Sequence, residues 1–499
     1  MGKRSTKLNV LTSLILQIIT ILNGLIVPRI ILTMFGSQVN GLTASLGQFL
    51  NYITLLEGGV SGVVLASLYK PLAEGDDEKV SGIIKATNVF FRKIALIFVV
   101  YSLGVGVIYP LVVDTAFSWG YVFALTMILA ASLFVQYFFA LAYRLLLNAD
   151  RRGYLVSVSQ IGFVLLNLVL ILVSVYIYPN IHVLKLVGVI AYITQPIIYT
   201  IYISKHYKID KQIEADETAL KQRWDGFGQN IAFFIHSNTD MVILTIFTTL
   251  GEVSVYAVYL MVANSLKSLV MSISSAIAPS MGNVLVGANE NDKQKAFDLY
   301  EYGIGLVSIF MFTCGALLVV PFVSVYTAGI TDVNYYRPLF GILLVAAEGV
   351  YCFRDPYVNI AYAAGHFKQT AKYAYVEAGI NIVLSIVFVH RYGIIGVAIG
   401  TLVAMIYRAI AHVIYLKKHI LHRPIKSFVQ HVWFWGIIVV TSALVVSFIK
   451  FTIESFGMWL VQAIVTALIV GVTLIIFSLL LKKEIFFAFI TKLTGGKKN

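Results

Sequence analysis

Charge is the scarcest commodity in this sequence. Of 499 residues only 12% are Asp, Glu, Lys or Arg and 59% are hydrophobic, against roughly 25% charged in soluble domains. A mean hydropathy of +0.86 over the whole length leaves no room for a large soluble domain. Cysteine is nearly absent: Cys314 and Cys352 lie in separate apolar runs, which excludes a disulfide framework and a thiolate zinc site. No Walker loop, zinc-ligand cluster or nucleophile elbow occurs, so neither an enzyme nor an ATP-driven pump is expected. Long external segments are missing as well. The outer connections are as short as GSQVN at 36–40 and YPNIH at 178–182, which argues against a polysaccharide polymerase or a receptor.

What the chain has in quantity is apolar runs. About 20 apolar residues cross a hydrocarbon core as a helix, and such runs recur fourteen times, centred near residues 22, 54, 101, 132, 166, 193, 238, 267, 312, 349, 381, 405, 440 and 469. None shows the short alternation of a membrane barrel. The expected fold is an all-α polytopic membrane protein with 14 transmembrane helices. The first run, after MGKRSTK, is too long for a signal core and lacks a small-residue cleavage site, so it reads as an uncleaved span. Pro28 within it predicts a kink.

Lysine and arginine orient the spans. With a cytoplasmic N-terminus, segments 1–7, 70–93, 144–153, 204–225, 283–297, 364–372, 417–430 and 482–499 face inward and hold 29 of the 37 basic residues. The outer connections hold four: Lys185, Arg337, Arg391 and Lys450. Both termini are therefore expected inside. The net charge of +13 becomes an orientation signal beside anionic lipid, with no nucleic-acid partner.

The longest inner loop, 204–225, has mixed charge and reads as a surface helix or flexible linker. It separates an N-terminal lobe (1–203, spans 1–6) from a C-terminal lobe (226–416, spans 7–12); residues 417–499 add spans 13–14 and a basic tail. The lobes echo each other: ILTMF at 31–35 matches ILTIF at 243–247, and the inner loops AEGDDEK and ANENDKQK correspond. A parallel repeat of this kind predicts two pseudo-symmetric six-helix lobes around a central cavity.

Ionisable residues inside spans are costly and usually face a bundle interior or a water-filled cavity. The run TLLEGGVSG places Glu57 in span 2, followed by glycines 58, 59 and 62 that bend the helix or pack it closely. In the repeat, Arg29 aligns with Met241 beside Asp240, and Glu57 aligns with Met271, one turn from Lys267. Asp240 and Lys267, on adjacent spans, form the easiest ion pair. Arg354 has Asp355 next to it, whereas Arg408 has no local partner and suits a phosphate through its guanidinium fork. Arg144 reads as an interfacial snorkelling residue. Glu348 and Glu377 are further carboxylates, either proton carriers or partners of Arg354 and Arg408; His236 is another possible titrating group. Tyr256 and Tyr259 are candidates for a sugar path. Bracing salt bridges and a substrate or ion site remain alternative uses of these charges.

Five blocks in order resemble the bacterial polysaccharide flippases of the multidrug/oligosaccharidyl-lipid/polysaccharide exporter superfamily: FGSQVNGLTASLGQFLNYITLLEGGVSGVV at 35–64, LLLNADRRGY at 145–154, NTDMVILTIF with EVSVYAVY at 238–259, RDPYVNIAYAAGHFKQTAKYAYVEAGINIVLSIVF at 354–388, and GIIGVAIGTLVAMIYR at 393–408. The resemblance spans nearly the whole chain. It implies translocation of an undecaprenyl-diphosphate-linked oligosaccharide across a bacterial cytoplasmic membrane by alternating access, without a cofactor but with possible coupling to a proton or sodium gradient. By span, Arg29, Lys267, Arg354 and Arg408 are the positions that would receive the diphosphate. Glu57, Asp240 and Glu348 are the ion-coupling or gating candidates. Implied partners are membrane lipid, a glycan polymerase and glycosyltransferases. The rivals are a cation-coupled drug exporter of the same fold, a flippase for teichoic chains or peptidoglycan precursor, and a non-transporting scaffold.

Overall fold

The computed structural model describes residues 2–57, 59–210, 212–220, 227–287, 289–449 and 451–493, without the side chains of 2–6, 219–220, 227–233, 235–237, 279, 283, 286–287 and 493. Expectations about Gly58, Lys450, the His236 side chain, and residues 211, 221–226 and 494–499 fall outside the described residues. All regular structure among the described residues is helical. The chain divides into two compact units, Met1–Phe234 with Thr249–Ser254, and Ile235–Thr248 with Val255–Asn499.

The first unit begins with α1 (Gly2–Leu50), whose one non-helical residue is Gly36 at φ 80°, ψ 176°. At Gly36 only a residue without Cβ fits comfortably; Pro28 lies within the helix. A 3₁₀ turn (Asn51–Ile53), the four-residue α2 (Thr54–Glu57) and α3 (Val60–Glu74) follow. The segment carrying Glu57 is therefore a discontinuity. A Cβ added at Gly62 would meet nothing within 4 Å.

Next come α4 (Asp77–Val112), then α5 (Trp119–Val135), which runs through a π turn (Gln136–Ala140) into α6 (Leu141–Ala149), and finally α7 (Gly153–Ile177) and α8 (Ile181–His206). Starts and stops follow from local chemistry. Asp76 caps α4 by accepting from the Lys79 N–H at 3.0 Å, Asn180 caps α8 by accepting from His182 N–H at 2.8 Å, and Gly75 ends α3 in the left-handed conformation. Leu42, Leu46, Val122 and Leu125 fill one core of this unit, and Val64, Leu68, Ala95 and Phe98 another.

The NADRRGY turn between α6 and α7 ties four segments together. Asn9 of α1 donates to the Arg151 carbonyl at 3.0 Å and accepts from the Tyr154 N–H at 2.7 Å. Asp150 accepts from the Tyr207 hydroxyl at 2.5 Å and pairs with Arg152, which also reaches Tyr202 on α8. Burial, then the bond to Asp150, pushes the Tyr207 phenol above its usual range. Beyond Tyr207 the long loop is pinned to this unit: Lys85 donates to the Ile213 carbonyl at 2.6 Å and the Asp216 N–H to that of Gly82 at 3.1 Å. Of the two expectations for this loop, a surface helix or a flexible linker, its described residues beyond α8 show one 3₁₀ turn, Glu217–Leu220.

The second unit holds α9 (Phe227–Phe247) from Ile235 on, α10 (Leu250–Gly287) from Val255 on, α11 (Glu290–Tyr326), α12 (Pro338–Ala363), α13 (Phe367–Tyr392), α14 (Ile394–His419), α15 (Ile425–Ser447), α16 (Phe456–Leu481) and the short α17 (Lys483–Leu493). The α11, α15, α16 and α17 helices share a core of Tyr302, Trp435, Ile438, Val470 and Phe489. Although α16 is the most apolar span, its buried side carries Gln462, Thr466, Thr473 and Ser478. Among the described residues, eleven helices are long and apolar enough to cross a membrane. The centres near 22 and 54 fall in one continuous stretch, Lys7–Glu57. The centre near 238 falls in the shorter Asn238–Phe247, and that near 349 in α12, which carries Glu348, Arg354 and Asp355.

Candidate functional site

In the second unit, helices α10, α12, α13 and α14 gather the charges that the sequence singles out. The closeness of α13 and α14 has a cause in the GIIGVAIG run. Gly393 turns the chain at φ 56°. A Cβ on Gly400 would fall 2.6 Å from Ser385 Oγ and 2.9 Å from its backbone N, and one on Gly396 would collide with the Phe388 carbonyl. Small residues at four-residue spacing let membrane helices approach backbone to backbone. Two antiparallel levels of contact result: Asn381 opposite Thr401, and Glu377 opposite Arg408.

At the first level Asp240 of α9 is buried, with three neutral donors: Thr401 Oγ1 at 2.5 Å, Asn381 Nδ2 at 3.1 Å and the Tyr256 hydroxyl at 3.1 Å. The buried Asn381 Oδ1 has no hydrogen-bond partner. Glu348 acts on Asp240 as a like charge. The expected Asp240–Lys267 pair does not form; Lys267 instead reaches Glu348 Oε2 at 2.9 Å, and its ammonium sits 3.9 Å from the centre of the Tyr351 ring. A long lysine on α10 finds the nearer carboxylate, one that lies a turn from the aromatic face able to hold a cation.

At the second level the buried Glu377 is shared. Its Oε1 accepts from Arg354 Nη1 at 2.6 Å and its Oε2 from Arg408 Nη1. Arg408, which has no partner nearby in sequence, finds one on the facing helix, and of the two expected uses of Glu377 the one seen is as a partner of Arg354 and Arg408. Arg354 pairs with Glu377 and not with Asp355, because consecutive residues leave a helix about 100° apart. Asp355 accepts from Ser274 and, at 2.7 Å, from Asn359. Tyr256 and Tyr259 are not open lining groups: Tyr256 binds Asp240, and Tyr259 donates to the Tyr335 carbonyl at 2.9 Å.

A third cluster was not legible. Glu301 of α11 accepts from the Tyr357 hydroxyl and from Arg423 Nη2 at 2.7 Å, with His431 Nδ1 at 3.9 Å. It joins α11 and α12 to the chain entering α15. An acid just inside the inner end of an apolar run was the available signal.

In the first unit, Glu57 accepts from the Tyr137 hydroxyl at 2.8 Å. Tyr137 lies in the π turn, so two irregular backbone stretches meet through one hydrogen bond; π turns inside helices are frequent at functional positions. Arg144 lies within electrostatic reach of Tyr137, Tyr192 and Tyr199. Arg29 is partly buried on α1, and its carbonyl accepts from Thr33.

No family model matches the chain, and no curated protein matches it in sequence. Solved structures do match in shape. The lipid II flippase MurJ in an inward closed conformation aligns at TM-score 0.67 and 17% identity over 96% of this chain and 99% of its own. An inward-facing multidrug resistance MATE family transporter of the MOP superfamily gives 0.59 and 13% over 80% and 93%. The MATE transporter VcmN of Vibrio cholerae gives 0.60 and 16% over 83% and 96%. The chain has the MOP transporter fold. It is a multi-pass, all-helical membrane protein by that fold and by its eleven spans.

Proposed function

We propose that the chain is a flippase that moves an undecaprenyl-diphosphate-linked oligosaccharide repeat unit from the cytoplasmic to the outer leaflet of a bacterial cytoplasmic membrane, by alternating access, for surface polysaccharide assembly. The reading includes fourteen spans, cytoplasmic termini, two six-helix lobes around a central cavity, and partners among glycosyltransferases and a glycan polymerase. The extent of the shape match supports it most. The lipid flippase covers 96% of this chain and the MATE transporters 80–84%. The share they leave is about the size of residues 417–499, the segment of α15–α17. A lipid-linked sugar needs a polar path for its head while its tail stays in the bilayer, since a glycan loses its water in hydrocarbon.

Among the four proposed diphosphate contacts, Lys267 is the most open of the three in the second unit, its side chain 17% exposed against 3% and 9% for Arg354 and Arg408. Arg29 is the candidate of the first unit. In proteoliposomes holding a labelled undecaprenyl-diphosphate sugar, the protein should speed appearance of label on the opposite leaflet. Lys267→Ala should slow it by about 10-fold or more, the worth of one charge-assisted contact. Absence of lipid movement together with export of a cationic dye would overturn the assignment in favour of a drug exporter. That second reading is favoured by one observation, the buried Asp240 held by three neutral donors.

Asp240 is proposed as the coupling carboxylate, with Glu57 and Glu348 as gating groups. A buried carboxylate held only by neutral oxygen and amide groups gains most from a proton or a sodium ion. Asn381 Oδ1 and Thr401 Oγ1 lie beside it to complete an oxygen shell. Transport by wild type should respond to an imposed proton or sodium gradient. Asp240→Asn should move lipid at one rate with or without the gradient, and an undiminished response in that variant removes Asp240 from coupling.

A further inference from the structure

We propose that Tyr351 is a positioning residue for the diphosphate headgroup: its ring holds the Lys267 ammonium in place when a phosphate draws that ammonium away from Glu348. The inference rests on the flippase reading above and names the group that sets headgroup selectivity. On α12, Glu348, Tyr351 and Arg354 follow one another at three-residue spacing, which sets successive side chains side by side on the helix surface. Lys267 reaches this row from α10 and has two anchors there. Its Nζ lies 2.9 Å from Glu348 Oε2 and 3.9 Å from the centre of the Tyr351 ring. The Arg354 guanidinium carbon lies 4.8 Å from the same ring centre. One uncharged ring therefore serves two cations from two helices.

The two anchors differ in what they do to an incoming anion. Glu348 holds Lys267 with a full negative charge, which repels phosphate and offsets the ammonium charge as felt from a distance. An aromatic face attracts a cation through its quadrupole and carries no net charge. An ammonium resting on Tyr351 thus keeps its whole charge for the ligand. Without the ring, a lysine released from Glu348 would spread over several rotamers, and a phosphate would have to immobilise the side chain on binding. The same ring keeps Arg354 nearby, so its guanidinium adds positive potential behind Lys267, the more open of the two. Cation–π attraction is strongest where water is excluded, and both cations are largely buried. A diphosphate diester carries two negative charges and a monophosphate diester one, so the paired cations favour the former.

Binding to the full chain in detergent tests this, with undecaprenyl-diphosphate-N-acetylglucosamine set beside undecaprenyl-monophosphate-N-acetylglucosamine. Tyr351→Leu should weaken binding of the diphosphate lipid by about 10-fold and of the monophosphate lipid by less than about 3-fold, so selectivity between them falls. Tyr351→Phe, which keeps the ring, should keep the selectivity. Phenylalanines carrying one, two and three ring fluorines at this position drain electron density from the ring face while keeping its shape. Affinity for the diphosphate lipid should step down with each fluorine. A role in packing alone would not follow fluorine count, so an affinity that stays flat across the series overturns the inference and leaves the flippase reading intact. Equal losses for the two lipids in Tyr351→Leu also overturn it. If Tyr351→Leu fails to fold, the fluorinated series still decides. A wild-type protein that binds neither lipid rejects the flippase reading and this inference together.

Discussion

Glu377→Leu should destabilise the folded protein by about 3–5 kcal/mol, the cost of breaking a buried ion pair by removing one partner. The damage is large because two arginines lose the same carboxylate while remaining among buried neighbours. Replacing all three at once, Arg354→Leu with Glu377→Leu and Arg408→Leu, should recover most of that loss, since an apolar trio of similar volume leaves no stranded charge. Thermal unfolding in one detergent compares the three proteins. The triple variant should nonetheless move no lipid. A triple variant as unstable as Glu377→Leu would show that the triad's geometry, and not its charge balance, holds α12, α13 and α14 together. A stable triple variant with normal transport would exclude the triad from function.

Gly400→Val should abolish both levels of the candidate site through one substitution that touches no charged atom. The new side chain starts 2.6 Å from Ser385 Oγ and 2.9 Å from a backbone nitrogen, so the helices must separate or α14 must turn. Overpacking costs about 1–3 kcal/mol when side chains can yield, and here backbone is in the way. Asn381–Thr401 and Glu377–Arg408 both depend on this approach. Lipid movement should fall to background, and Gly400→Ala should be intermediate. Normal transport in Gly400→Val would mean that α13 and α14 tolerate a wider spacing than their contacts imply. Gly436 is the contrast: a Cβ there would meet nothing within 4 Å, so Gly436→Ala should be nearly neutral.

Hydropathy and charge bias made the helical membrane architecture legible, because both depend on composition along the chain and not on contacts. Which charges lay inside spans was equally plain. Their partners were not. Lys267 was matched to Asp240 by proximity of spans, whereas Glu348 on α12 takes it. Glu377 was a possible partner of Arg408, but at 31 residues' separation the sequence could not choose between that use and a proton carrier. Pairing of this kind is set by the rotation of each helix about its axis, which the α13–α14 glycines control and which an apolar run conceals. The break in α1 at Gly36 was not foreseen, although a backbone at positive φ selects glycine.

The crowding of charge on α12 bears on how the chain is made. Insertion of a lone helix into the bilayer is penalised by about 2.5–3.5 kcal/mol for an Arg or Asp at its centre, and α12 carries Glu348, Arg354 and Asp355 within eight residues. Lys267, which neutralises the first, is synthesised before it. Glu377 and Arg408, which complete the second, emerge from the ribosome only afterwards. The α12 segment must therefore be held beside α10 in a protected setting until α13 and α14 arrive, so these three helices enter the bilayer as one cooperative event. Truncating the nascent chain before residue 377 should leave α12 accessible to aqueous reagents.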